Sequence, residues 1–187
     1  MIFRQFSILY PLPSSLFPLN TTPLPSSKKI NYMEKKELMK RAIELSIESV
    51  KNGGGPFGAL IVRKGEIIAE SSNSVTLDHD PTAHAEVNAI RKAARLIGTH
   101  DLSGCEIFTS CEPCPMCLGA IYWAHLDRIY YANNRKDAAE VGFDDDFIYE
   151  ELSVDIDHRN KPMEALMREE ALKAFELWMK TDNKTEY

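Results

Sequence analysis

Two short stretches constrain this chain more than anything else in it: Pro81-Thr82-Ala83-His84-Ala85-Glu86, and further along Pro113-Cys114-Pro115-Met116-Cys117. One imidazole and two thiols, drawn from separate segments, supply three ligands for a tetrahedral metal, so the fold must bring the two stretches together. Three protein ligands leave the fourth corner open to water, the arrangement of a catalytic zinc; a structural zinc takes four. Glu86 is then spare. A carboxylate beside the metal but not bound to it takes a proton from the water and delivers it to a leaving amine.

The spacing agrees with that chemistry. Cys114 and Cys117 stand three apart and share one helix face, and Pro115 suits a first helical turn, where its missing N–H would be unpaired anyway. The helix dipole favours thiolate at that end. His84 and Glu86 are two apart, which on a helix points them to opposite flanks, so they serve one site only if it lies over the helix end. Thr82 is the expected N-cap that places both in the first turn.

Taken in order, the pattern predicts a core helix over 34–51, with Met39, Ile43, Ile47 and Val50 as its apolar positions and Asn52-Gly53-Gly54-Gly55 as its stop. The glycines are not followed by the lysine and hydroxyl residue of a phosphate cradle, and read as a turn that lets the backbone pass close to something. A hairpin follows, strands 59–63 and 67–72 around Lys64-Gly65. The His84 helix then buries Val87, Ile90, Ala94 and Ile97 and stops at Gly98. Next come a strand over 106–109, a turn over 110–113, a helix that is apolar on all sides from Met116 to Ala124 and is expected to be centrally buried, and a strand over 128–132. Strand, helix, strand in so short a span is a right-handed parallel crossover, so the sheet is mixed. A short helix over 137–141, an acidic loop from Gly142 to Phe147 and a last helix over 169–180, anchored by Phe175 and Trp178, complete the chain.

Composition narrows the partners. The net charge is −6, and because Arg4, Lys28 and Lys29 are the sole charges before Met33, the rest carries −9. An acidic body is poorly suited to a phosphate backbone and favours a small-molecule substrate over nucleic acid. Cys105, Cys111, Cys114 and Cys117 crowd one segment, a pattern of metal binding in a reducing, cytoplasmic setting rather than of a disulfide framework. No apolar run approaches bilayer length, so no membrane partner is expected. Residues 1–32, rich in proline and serine and without an acid, read as a disordered extension, with Met33 an alternative start; residues 33–187 read as one domain.

Each motif has a plainer reading beside the functional one. Cys111-x2-Cys114-x2-Cys117 has iron–sulfur spacing, but Cys105 is misplaced as the fourth thiolate, and Cys105 and Cys111 read as small buried residues. Asp144, Asp145 and Asp146 form a solvated loop unless Phe143 and Phe147 anchor it and aim one carboxylate inward. Phe57 is a core aromatic or a stacking surface for a flat ring, and Asn73 a turn cap or, with a donor and an acceptor, a reader of a base edge.

H-x-E followed by P-C-x-x-C is the known signature of the zinc-dependent base deaminases. Together with Gly54-Gly55-Pro56-Phe57-Gly58-Ala59, the segment Thr109 to Ala124 and Gly142-Phe143-Asp144-Asp145, it makes the chain from about Met33 to its end resemble the guanine deaminases of the cytidine deaminase superfamily. The resemblance implies an α/β fold of three layers, helices on both faces of a five-stranded mixed sheet, and a homodimer with an exchanged C-terminal tail, in which Trp178 packs on the neighbour or at home. It implies Zn2+ on His84, Cys114 and Cys117, Glu86 as proton shuttle, Asn73 holding a purine base and Phe57 packing on it. Asp145 contacts the base and assists ammonia departure, and Tyr187 closes the pocket. The implied reaction is hydrolytic deamination of guanine to xanthine. Rivals are a guanosine deaminase, a transfer-RNA adenosine deaminase, which the acidic body disfavours, and a structural zinc module, which needs Cys111 or Glu86 as fourth ligand.

Overall fold

The computed structural model describes residues 32–186; the expected N-terminal extension and Tyr187 lie outside the described residues. Its centre is strand β1 (Gly58–Arg63), buried at every position but the last. Alternation along it divides the core: Ala59 and Ile61 face one side, Leu60 and Val62 the other. The hairpin partner β2 (Glu66–Ser72) and strand β3 (Cys105–Cys111) flank it antiparallel, and β4 (Arg128–Asn133) adds parallel to β3. The order is β2-β1-β3-β4, a mixed sheet opened by a hairpin and closed by a parallel crossover.

Helix α1 (Tyr32–Lys51) covers one face through Leu38, Ala42 and Leu45, which pack with Leu60, Val62 and Phe108. Helices α3 (Ala85–Ile97) and α4 (Pro115–Trp123) cover the other through Ala85, Ala89, Ala93 and Ile121 against Ala59, Ile61 and Ile107. The expected three layers are therefore present. A short α2 (Val75–Asp78) links β2 to α3, and the C-terminal region holds α5 (Arg135–Glu140), α6 (Asp146–Ser153) and α7 (Arg168–Lys180).

Several expectations change. The sheet has four strands among the described residues, not five. After β4 the chain turns into α5 because Asn134 and Asp137 close a reciprocal capping box, Asn134 Oδ1 accepting from Asp137 N (3.2 Å) and Asp137 Oδ2 accepting from Asn134 N (2.8 Å). Helix α1 buries not the expected stripe but the face carrying Leu38, Ala42, Leu45 and Ser49, and leaves Ile43, Ile47 and Val50 exposed. Gly58 explains this: a Cβ there would strike the Ala42 carbonyl and come within 2.7 Å of Leu45, so helix and strand approach too closely for any face but the one with the small residue. Helix α4, expected to be buried all round, buries only Cys117 and Ile121; Tyr122 and Trp123 are 74% and 65% exposed in the single chain. Strand β3 runs on to Cys111, through part of the segment expected to turn.

Candidate zinc and base-binding site

The two motifs meet at two helix starts. His84, not Thr82, is the N-cap of α3, with extended backbone. Thr82 is held elsewhere, its N–H and hydroxyl both donating to Asp80 Oδ1 at 2.7 Å. His84 thus lies over the helix end, as its spacing from Glu86 requires, while Glu86 sits in the first turn. Cys114 is the N-cap of α4, Pro115 opens the helix, and Cys117 is fully buried one turn in.

His84 Nδ1 is 3.5 Å from both Cys114 Sγ and Cys117 Sγ. With metal–sulfur and metal–nitrogen bonds of zinc length, the edge of a tetrahedron between these donors is about 3.5 Å. The donors fit that ion, and among the described residues they are the one group of three so placed. Hydrogen bonding from Cys117 holds Cys114 toward thiolate and pushes Cys117 the other way, while the Cys114 sulfur raises His84.

Glu86 is 5% exposed, beside but outside this group, with Oε1 accepting from the Thr109 hydroxyl at 3.3 Å and Oε2 3.5 Å from Cys117 Sγ. Burial, more than any neighbour, raises its pKa above the usual carboxylate range, as suits a proton carrier. Cys111 is not the missing fourth ligand: its thiol lies 3.7 Å from the Asn134 carbonyl, and burial pushes it up to about 11. Cys105 belongs to the hydrophobic core. The iron–sulfur and four-ligand readings therefore lack their ligands.

A cavity of about 500 Å³ opens over the donors. Asn73, Phe57, Phe143, Asp145 and Glu86 all line it. Phe143 packs edge-on against Phe57, ring centroids 5.0 Å apart and planes at 85°, so the acidic loop is anchored as the flanking aromatics suggest; Phe147 is exposed and takes no part. Asp145 is pushed upward by burial first and by the Cys114 charge second.

Asn73 is buried, and its Oδ1 accepts from Gly55 N and Val75 N, both at 3.3 Å. Its acceptor half is committed to the backbone, which leaves Nδ2 as the group to offer a ligand. The glycine turn passes close to this residue: a Cβ on Gly54 would lie 2.6 Å from the Asn73 carbonyl and one on Gly55 3.0 Å from Asn73 Oδ1. Gly54→Ala is accordingly expected to displace Asn73 and destabilise the fold by about 1–3 kcal/mol, read by thermal denaturation.

Residues 33–133 match the model of the cytidine and deoxycytidylate deaminase zinc-binding region. The chain belongs to this family of zinc-binding deaminases. Zinc is its cofactor, held by His84, Cys114 and Cys117. The deaminase is 51% identical to guanine deaminase of Bacillus subtilis over 83% of its own length and all of that relative, and 39% identical to the tRNA-specific adenosine deaminase of Aquifex aeolicus over 54% of its length and 66% of the relative. It is similar to the solved Bacillus subtilis guanine deaminase, with a TM-score of 0.80 at 50% identity over 84% of this chain and 99% of that one. It is also similar to guanine deaminase from Nitrosomonas europaea, at 0.58 and 29% identity over 71% of this chain and 80% of that one.

In this deaminase, Thr109, Cys111, Glu112 and Arg135 are site residues that the motifs did not single out as such: the first holds Glu86 and the others line the cavity. Only alternation along β3 carried a signal for Thr109, since it shares a face with Ile107, toward α3. On α7, Phe175 is 70% exposed and Trp178 41% exposed, the latter with Lys184 Nζ 5.9 Å from its ring centroid. No helix among the described residues is long and apolar enough to cross a membrane.

Proposed function

We propose that the chain hydrolyses guanine to xanthine and ammonia. The observation that carries this is a single cavity lined by the donors His84 and Cys114 and by Glu86, Asn73, Phe57 and Asp145, with room for a flat, polar-edged ring. The 51% identity to a guanine deaminase across that relative's full length supports the same reading.

Zinc, when held by His84, Cys114 and Cys117, supplies the Lewis acidity that makes water nucleophilic at neutral pH. Glu86 accepts the proton that water gives up as oxygen adds to C2, and passes it to the adjacent ring nitrogen. Asp145, whose pKa burial raises above the ordinary carboxylate range, faces the N–H edge of guanine and assists protonation of the exocyclic amine as the C–N bond breaks. Adenine presents no N–H at the matching place, so the same carboxyl selects between the bases. Asn73 donates through Nδ2 to the base, and Phe57, buttressed by Phe143, packs on the ring.

The catalytic unit spans 33–187, matching the start of the family region. The working form is a cytoplasmic homodimer with an exchanged C-terminal segment that carries α7. The exposed apolar residues Tyr122 of α4 and Phe175 of α7 support the dimer, and four free thiols support the compartment. An ammonia-release screen over guanine, guanosine, cytosine, cytidine and adenosine tests the substrate: guanine is expected to give the highest kcat/KM. Guanosine as the better substrate, which a cavity of this volume has room for, would replace the base reading by a nucleoside one.

A further inference from the structure

Asn88 lies on α3, one turn beyond His84, and its backbone N–H donates to the His84 carbonyl at 2.9 Å. It does not line the catalytic cavity. Its side-chain Nδ2 nevertheless reaches three acceptors on two other segments: the Ser72 carbonyl at 3.2 Å, Ser74 Oγ at 3.0 Å and the Ala83 carbonyl at 3.2 Å. Ser72 and Ser74 flank Asn73; Ala83 directly precedes His84. A further bond, Ser74 N to the Ala83 carbonyl at 3.0 Å, joins the same two segments.

One amide therefore spans the end of β2 and the entry to the zinc helix. A polar side chain on a helix surface usually meets water; this one is half-buried and meets acceptors on the two segments that carry Asn73 and His84, where those segments are bonded to each other. The three contacts all require a donor, which asparagine has and an ionised aspartate of the same size lacks. Besides the Ser74–Ala83 bond, the segment carrying Asn73 is held by Asn73 N donating to the Phe57 carbonyl at 3.0 Å, by Ser49 Oγ donating to the Asn73 carbonyl at 3.1 Å and by the glycine turn. Toward the zinc side, the Asn88 amide adds side-chain ties to the single backbone bond between Ser74 and Ala83.

We infer that Asn88 is a positioning residue that sets where Asn73 meets the substrate relative to the metal, and so governs binding of the base rather than the chemical step. This rests on Asn73 holding the base. The test compares Asn88→Ala, Asn88→Asp, Asn73→Ala and the Asn73→Ala/Asn88→Ala pair. It reads zinc content, thermal unfolding, guanine kinetics and, by calorimetry, the Kd of hypoxanthine, which has no 2-amino group to lose.

Both Asn88 variants are expected to keep their zinc and a cooperative transition, to change kcat by less than about threefold, and to raise KM and the hypoxanthine Kd about tenfold. The pair is expected to bind no more weakly than Asn73→Ala alone. Unchanged hypoxanthine binding in the Asn88 variants beside weakened binding in Asn73→Ala would overturn the inference and leave the role of Asn73 intact. So would losses that multiply in the pair, a fall in kcat with KM unmoved, or loss of zinc or of folding in both Asn88 variants. Unaltered binding in Asn73→Ala would instead remove the base-holding role, and this inference with it.

Discussion

Glu86→Gln is expected to lower kcat by about 10³-fold, within the range that a positioned general acid–base contributes, while zinc content stays at the wild-type level. The substitution isolates one property. The side chain is buried, and an amide oxygen in place of Oε1 still accepts from the Thr109 hydroxyl, so the cavity wall keeps its shape. What glutamine lacks is the capacity to take a proton and return it. Burial raises the Glu86 pKa above the usual carboxylate range, the direction that suits a group that must hold a proton as well as take one. Ammonia release and metal analysis on the same preparation decide the matter: full activity in the glutamine variant would take Glu86 out of the reaction.

Cys117→Ser is expected to strip the zinc and reduce turnover to background, whereas Cys111→Ser keeps the metal. The contrast follows from position. Cys117 Sγ lies 3.5 Å from His84 Nδ1 inside the donor group, while the Cys111 thiol is turned to the Asn134 carbonyl and is held protonated by burial. Removing Cys117 leaves two protein donors where a tetrahedral ion needs more, and a serine hydroxyl at this buried position is a far weaker zinc ligand than a thiolate. Chelation of the wild-type chain is expected to reproduce the loss and added zinc to reverse it. Metal content below stoichiometry in Cys111→Ser would revive a four-ligand structural site.

The site was legible to different depths. His84, Cys114, Cys117 and Glu86 announce themselves because zinc chemistry accepts few side chains and the spacing puts them at helix starts, where the structure finds them. Thr82 was the natural N-cap by residue type, yet Asp80 occupies it, a competition between two local hydrogen-bonding patterns that composition does not rank. Asn73 was open between turn cap and base reader. The structure makes it a turn cap, its oxygen spent on the backbone, and leaves its nitrogen for the base contact proposed above.

The hairpin, the parallel crossover and the order of the elements were determined by the sequence itself, since turn residues and hydrophobic period act over a few positions and leave little choice. So was the metal, because one nitrogen and two sulfurs at helix ends select their ion by chemistry rather than by surroundings. Tertiary structure alone decided which face of α1 is buried, as the bare backbone of Gly58 admits only the Ala42 side, and that four strands rather than five make the sheet. It alone placed Asp145 and Phe143 over the cavity and gave the Asn88 amide its three acceptors. These are distances between segments remote in the chain, set by close packing of the whole core, and no local pattern of residues encodes them.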